Sequence, residues 1–247
     1  MGIRQDVTAE VEAISQIDWN VVRTREVPRP EDVPLGSGAK SANVTMLYAD
    51  LADSTRLSML LPPEALAEIT KSFLVAACRT IRFHGGHIRS FDGDRVMGVF
   101  IGDGKGDRAF TAALELTWYV EELIKPKFIA KYPLITAAGL DIAHGVGIDA
   151  GEVFVARTGI RRHNDLVWVG RAPNIAAKLS AIRVPSLRIF ATLSALMDAP
   201  NLMLSPDYAN PPREVMWQYH NWTEAPAGFD DKVVATAWWF RRSVDGA

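Results

Sequence analysis

An apolar strand, a long helix, a tight hairpin, a second helix and a further pair of strands follow one another between residues 43 and 157. Few folds accept that order. Residues 43–49, within Asn43-Val44-Thr45-Met46-Leu47-Tyr48-Ala49, read as a buried strand. Ser54 or Thr55 can cap a helix that restarts after Pro62-Pro63 and runs to about His84, where Gly85-Gly86 ends it. Residues 87–91 and 95–101 form two strands around Asp92-Gly93, a dipeptide suited to a hairpin turn. A helix is predicted at about 106–124, and a strand pair over 136–147 and 151–157 turning at Asp149-Ala150-Gly151. A strand near 165–169, a helix near 173–182 and strands near 187–191, 214–222 and 232–241 complete the chain.

Strand, helix, hairpin, helix, strand is the βαββαβ order of ferredoxin-like folds. It predicts an α+β domain in which helices pack on one face of an antiparallel sheet. Ahead of it, residues 6–24 read as a short helix with acidic residues early and Arg23 late. Pro28, Pro30, Pro34, Gly36 and Gly38 make residues 25–41 an extended linker. The expected organisation is an N-terminal helix and linker over 1–41 and one catalytic domain over 42–247.

Composition removes several classes of function. A formal net charge of -2 argues against general nucleic-acid binding, which leans on a basic surface. The single cysteine, Cys78, permits no intrachain disulfide and suits a reducing compartment. It lies after the apolar stretch Phe73-Leu74-Val75-Ala76-Ala77 and reads as a packed, inert thiol. No run of about 18 apolar residues exists, and the N-terminus lacks the apolar core of a signal peptide. A cytoplasmic protein without a membrane partner is the expectation.

Two aspartates carry the chemistry. Asp50 follows the first strand and precedes Ala52-Asp53-Ser54-Thr55, and Asp94 sits in the hairpin expected beside that strand. Aspartates at strand ends are ordinarily turn formers. Here the backbone N–H groups of a helix start stand next to Asp50, where phosphate oxygens bind well. Magnesium and manganese bind through one or two carboxylates plus substrate phosphates. Two such cations lower the pKa of an attacking hydroxyl and neutralise a leaving pyrophosphate.

The segments around both aspartates resemble the class III nucleotidyl cyclase domain over roughly residues 42–195. Tyr48-Ala49-Asp50-Leu51-Ala52-Asp53-Ser54-Thr55 resembles the family's first metal motif, and Gly85-Gly86 through Gly93-Asp94 its second. The resemblance implies Asp50, Asp94 and the Leu51 carbonyl as ligands of two divalent cations, Mn2+ or Mg2+. It implies contacts to the nucleotide from Asp53, Ser54 and Thr55. His144 through Val153 resembles the next strand pair, and Gly170 through Leu179 the helix that carries an Asn and, four residues on, an Arg. Asn174 matches the residue that orients the ribose. Lys178 stands at the Arg position, keeping the charge but losing the planar fork. Asn174 and Lys178 share one helix face. The resemblance also implies a homodimer whose sites take metal ligands from one chain and the Asn helix from the other.

The departures bear on the base. Ser90 stands where an adenine-reading Lys is implied, and Val167, followed by Trp168, where its partner Asp is implied. Tyr48 replaces the usual Phe, adding bulk and a hydroxyl. A site built to hydrogen-bond one base edge rejects others strongly. Loss of both purine-reading groups predicts another base or no activity. The combination is similar to the pyrimidine cyclases of bacterial anti-phage (Pycsar) signalling, which implies UTP and cyclic UMP, the reading favoured here, or alternatively CTP and cyclic CMP, with a separate effector protein for the product. Tyr48, Ser90, Arg95 and Trp168 are the candidate base contacts, able to serve either pyrimidine. A purine cyclase with an atypical pocket and an inactive nucleotide-binding module are the rival readings. The aromatic group Trp217, Tyr219, Trp222, Trp238, Trp239 and Phe240 reads as core and dimer packing. His84 and His87, flanking Gly85-Gly86 without a nearby cysteine, make a poor metal site. Arg161-Arg162-His163 reads as an exposed loop.

Overall fold

The computed structural model describes residues 2–160, 163–204 and 213–239. In chain order the elements are α1 (Ile3–Ser15), β1 (Asn20–Arg23), β2 (Gly38–Leu51), α2 (Ser54–Leu60), α3 (Pro63–Phe83), β3 (His87–Asp92) and β4 (Arg95–Ile101). Next come α4 (Lys105–Tyr119), a π-helical turn (Val120–Ile124), α5 (Lys125–Lys131), α6 (Leu134–Ala137), β5 (His144–Ile160) and β6 (His163–Val169). Then follow α7 (Arg171–Ser180), β7 (Ile189–Thr192), α8 (Leu193–Met197), β8 (Gln218–His220) and β9 (Val233–Thr236).

One sheet runs β3-β4-β2-β5-β7-β9-β8, with β1 added to β2 and β6 to β5. Its first four strands are antiparallel in the ferredoxin-like order. β7 joins β5, and β1 joins β2, in parallel, so the whole sheet is mixed. Strand side chains alternate between faces, and β2 is apolar on both. Leu47, Ala49 and Leu51 enter a core with Ile69, Phe73 and Ala77 of α3 and Phe110 and Leu114 of α4. Val44 and Met46 face the other way, towards Met97, Val99, Val153, Trp168, Ala172 and Ala176. Helices therefore cover both faces, α3 and α4 on one and α7 on the other, rather than the one face expected.

Other expectations are corrected. Residues 6–24 are not one helix: α1 ends at Ser15, and Asn20–Arg23 pairs with Gly38–Ser41. Val21 and Val22 are β-branched and serve a strand better than a helix. The predicted linker accordingly holds the start of β2. Asp53, at φ 54°, rather than Ser54 or Thr55, is the N-cap residue of α2, and its side chain makes no capping bond.

The strand pair predicted about Asp149-Ala150-Gly151 is one unbroken strand, β5, with Asp149 opposite Met46. Residues 134–137 are helical. Asp149 is fully buried and does not turn the chain. Its Oδ1 accepts bonds from Thr192 (2.6 Å), Arg171 (2.9 Å) and the Ala150 N–H (2.9 Å). The glycines of β5 mark a close approach instead. A Cβ on Gly147 would stand 2.0 Å from the Ala176 carbonyl oxygen of α7.

Of the described aromatic residues, Trp217 and Trp238 share the main core, as expected of core packing. Trp217 packs edge-on against Phe110 in the main core, Trp222 against Phe229 in a smaller one, and Tyr219 is exposed. Phe240, Arg161 and Arg162 lie outside the described residues. His84 is buried, with Nε2 2.5 Å from Glu115 Oε2, which accounts for it without a metal.

Candidate active site

Cross-strand register assembles the site. Asp50 of β2 faces Arg95 of β4, which faces Asp92 of β3; one row in, Tyr48 faces Met97, which faces Ser90. Opposed residues project from the same side of a sheet. That side is the one α7 covers, but α7 lies over β5 and β2, leaving the β2-β4-β3 part as a shelf. Asp50, Tyr48, Ser90 and Arg95 are thus brought together on it. Asp94 and Gly93 form the two-residue turn joining β3 to β4, beside the end of β2.

The electrostatics of the shelf are unbalanced. Burial pushes the Asp50 carboxyl above its ordinary pKa; the Arg183 guanidinium opposes this, and Asp94 pushes it further up. Two carboxylates close enough to repel each other favour a shared cation. Asp94 Oδ2 is buried without a hydrogen-bond partner, a cost that a hard cation would remove. Among the described residues no group of three or more His, Cys, Asp or Glu forms a metal cage. Asp50, Asp94 and the carbonyl of Leu51 fit cations whose remaining positions go to water or substrate oxygens. The Leu57 N–H closes on the Asp53 carbonyl at 2.9 Å, so earlier N–H groups of α2, from Ser54 and Thr55, have no helical acceptor. The Asp53 carboxylate, on the exposed side of this turn, lies 3.7 Å from Arg56.

At the base end, the Tyr48 hydroxyl donates to Met97 Sδ at 2.8 Å, a weak acceptor that a ligand oxygen would outcompete. Burial raises the Tyr48 pKa, so the phenol stays a donor. Arg95 lies 5.8 Å over the Tyr48 ring and pairs with Asp92 at 2.6 Å. Ser90 is exposed. Trp168 lies on the same side of the sheet as the shelf, buried in the cluster with Met46 and Met97 against which Tyr48 packs, and Val167 is exposed on β6.

Asn174 and Lys178 are not brought to this shelf. α7 buries Ala172, Ile175, Ala176 and Leu179 against its own sheet, so Asn174 and Lys178 lie on the opposite, exposed side of the helix. Asn174 Nδ2 donates to the Gly170 carbonyl at 3.1 Å. Arg171 binds Asp149 at one end of α7, and Arg183, just past the other end, binds Asp50. Asn174 is six residues, about 9 Å of helix, from Ser180 at that end.

Sequence reasoning missed Arg183. It donates through Nη2 to Asp50 Oδ2 at 2.7 Å across 133 positions of chain. Only the nearby glycine, Gly145, signalled it: a Cβ there would stand 2.5 Å from Arg183 Nη1. Also missed was buried His144, opposite Leu51, with Nε2 3.0 Å from the Thr117 hydroxyl.

The fold is that of a class III nucleotidyl cyclase domain. The adenylyl cyclase CyaB from P. aeruginosa superimposes with a TM-score of 0.62 at 19% identity, over 80% of this chain and 95% of that one. No family model matches the chain. It is 45% identical over 194 residues to a uridylate cyclase of Rhodovulum sp. (strain MB263), covering 78% of this chain and 81% of the relative. It is 36% identical over 223 residues to a uridylate cyclase of Xanthomonas perforans, covering 90% and 92%. The chain belongs to the uridylate cyclase family and is a nucleotidyl cyclase.

Proposed function

We propose that the protein converts UTP to 3′,5′-cyclic UMP and pyrophosphate, at sites shared between two copies of the chain, as a cytoplasmic second-messenger synthase in anti-phage defence. The defence role, and the separate effector that would read the product, rest on family resemblance. The observation that carries the base assignment is the row Tyr48, Met97, Ser90 beside Arg95. It offers hydroxyl and guanidinium donors and no Lys–Asp pair for a purine edge. Uracil presents two carbonyl acceptors. The Tyr48 hydroxyl and the Arg95 guanidinium are donors suited to them. The relatives named above support the same base.

Asp50, Asp94 and the Leu51 carbonyl would hold two divalent cations, Mn2+ or Mg2+, which supply positive charge to the phosphates and acidify the 3′-hydroxyl. The first turn of α2, from Asp53 to Thr55, would offer N–H and hydroxyl donors to phosphate oxygens. The 3′-oxygen bonds to the α-phosphorus, its proton leaves to water, and the bridging oxygen departs with pyrophosphate. Asn174 of a second copy would orient the ribose by hydrogen bonding, and Lys178 would place positive charge near the transferring phosphoryl group. The outward position of both on α7 supports their service to a neighbouring chain.

Side-by-side turnover of UTP, CTP, ATP and GTP with manganese tests the reading. Cyclic UMP should form fastest, with CTP the main competitor, and Tyr48→Phe should slow it roughly 2- to 10-fold, the scale of one neutral hydrogen bond. Preferential formation of cyclic AMP or cyclic GMP would overturn it.

A further inference from the structure

We infer that Arg183 is a triphosphate-binding residue held on the metal carboxylate, resting on Asp50 while no cation is bound and turning onto substrate phosphate when a cation takes Asp50. This rests on the reading of Asp50 as a metal ligand.

Arg183 sits three residues beyond the end of α7, and its two terminal nitrogens do different things. Nη1 donates to the carbonyls of Ser180 (2.5 Å) and Ile182 (3.1 Å), which anchors the side chain to the C-terminal end of the helix. Nη2 reaches Asp50 Oδ2 at 2.7 Å. The anchored edge involves no metal ligand, and the other edge can exchange its acceptor. The sheet makes room for the group. Gly145, directly opposite Asp50 on β5, is the position where a Cβ would stand 2.5 Å from Nη1. The Arg183 side chain is 36% exposed against 19% for Asp50, so the guanidinium is open to arriving solutes.

A cation on Asp50 repels the guanidinium and competes for the same oxygen. A guanidinium displaced from a carboxylate but still anchored needs a second anionic oxygen within reach. The phosphates gathered by that cation provide one, and a planar fork matches phosphate as well as carboxylate. Arg95, the other guanidinium on the Asp50 row, is already paired with Asp92 and stacked on Tyr48. Arg183 thereby holds the Asp50 side chain in place before the metal arrives, and binds the substrate afterwards.

The test is binding, not turnover. Mn2+ affinity of the metal-free protein is measured by the free-ion electron paramagnetic resonance signal, without nucleotide. Affinity for inorganic tripolyphosphate in saturating Mn2+ is measured by calorimetry. Arg183→Gln should bind Mn2+ several-fold tighter, and tripolyphosphate roughly 10-fold or more weaker, the scale of a charge-assisted hydrogen bond. Arg183→Lys, which keeps the charge and spares the fold if the Gln variant proves unstable, should lie between wild type and that result in both. Unchanged or weaker Mn2+ binding, or unchanged tripolyphosphate binding, in the folded variants would overturn the proposal and leave Arg183 a clamp on α7. Asp50→Asn is the control. If it leaves Mn2+ affinity unchanged, the metal reading itself fails, and the inference with it.

Discussion

Asp50 and Asp94 share one shelf yet differ in what satisfies them. Asp50 is compensated by Arg183, whereas Asp94 Oδ2 is buried with no partner. Neither arrangement favours the empty protein strongly, so removing either carboxylate should spare the fold while removing charge from the reaction. Asp50→Ala and Asp94→Ala should each lower cyclase turnover roughly a hundredfold or more, since bound cations contribute several kcal/mol of transition-state stabilisation. Turnover and a thermal melt of each variant check this together; near-wild-type turnover in either would remove that carboxylate from the site.

His144 sets a second expectation at this scale. Burial, helped by the neighbouring Arg188 and Arg183 charges, holds its pKa down from an ordinary 6.5 to about 3. The unfolded chain takes up this proton below pH 6.5 and the folded chain refuses it, so stability is complete above 6.5 and is lost as the pH falls towards 3. Between pH 6.5 and 5 the loss is about 2 kcal/mol, or roughly 4–8 °C in Tm, taking about 1.4 kcal/mol per pH unit. Asp50 and Asp149, both raised by burial, act with the opposite sign. Thermal melts across this range should show the fall in the wild type and a flatter dependence in His144→Gln; equal slopes would show that another group titrates.

At the scale of elements, α7 against β5 governs the site, because it fixes Arg183 over Asp50 and turns Asn174 outward. The contact depends on bare backbone. Gly147→Ala would push a methyl to within 2.0 Å of the Ala176 carbonyl oxygen and 2.4 Å of the Ser180 nitrogen. It should cost at least about 1–3 kcal/mol, the scale of overpacking. Gly151→Ala in the same strand meets nothing within 4 Å and should be nearly neutral. Urea midpoints of the two variants check the pair; equal midpoints would mean that α7 does not press on β5 as described.

The same two elements mark where the sequence could and could not be read. β2, α3, β3 and β4 were legible because apolar runs there end at Gly, Pro or Asp-Gly, and local chemistry decides such boundaries. β5 was not. Asp149, Ala150 and Gly151 form a turn by local preference, but burial of Asp149 under Thr192 and Arg171 keeps the strand straight, and those partners lie 43 and 22 positions away. β1 was missed for the same reason, since its pairing with β2 is a tertiary fact. In the site, Asp50, Asp94, Tyr48, Ser90 and Arg95 were legible as neighbours because one hairpin and one strand carry them all.

At the scale of the whole molecule, the residues proposed for the chemistry fall on two surfaces. The shelf holds Asp50, Asp94, Tyr48 and Arg95, while Asn174 and Lys178 project from the outer side of α7. On the proposed reading a single chain would carry both halves of the machinery without joining them in this arrangement. The proposed two-fold dimer would place the outer side of each α7 over the shelf of the other, giving two equivalent sites. Among the described residues no helix is long and apolar enough to cross a membrane. The measurement that bears most directly on this account is cyclic UMP production from UTP and manganese by an equal mixture of two variants, Asp50→Ala and Asn174→Ala, each inactive alone. Half of the dimers would be mixed and each would carry one intact site of two, so about a quarter of wild-type activity should return. No recovery after subunit exchange has been demonstrated would contradict it, and would require each site to be built within one chain.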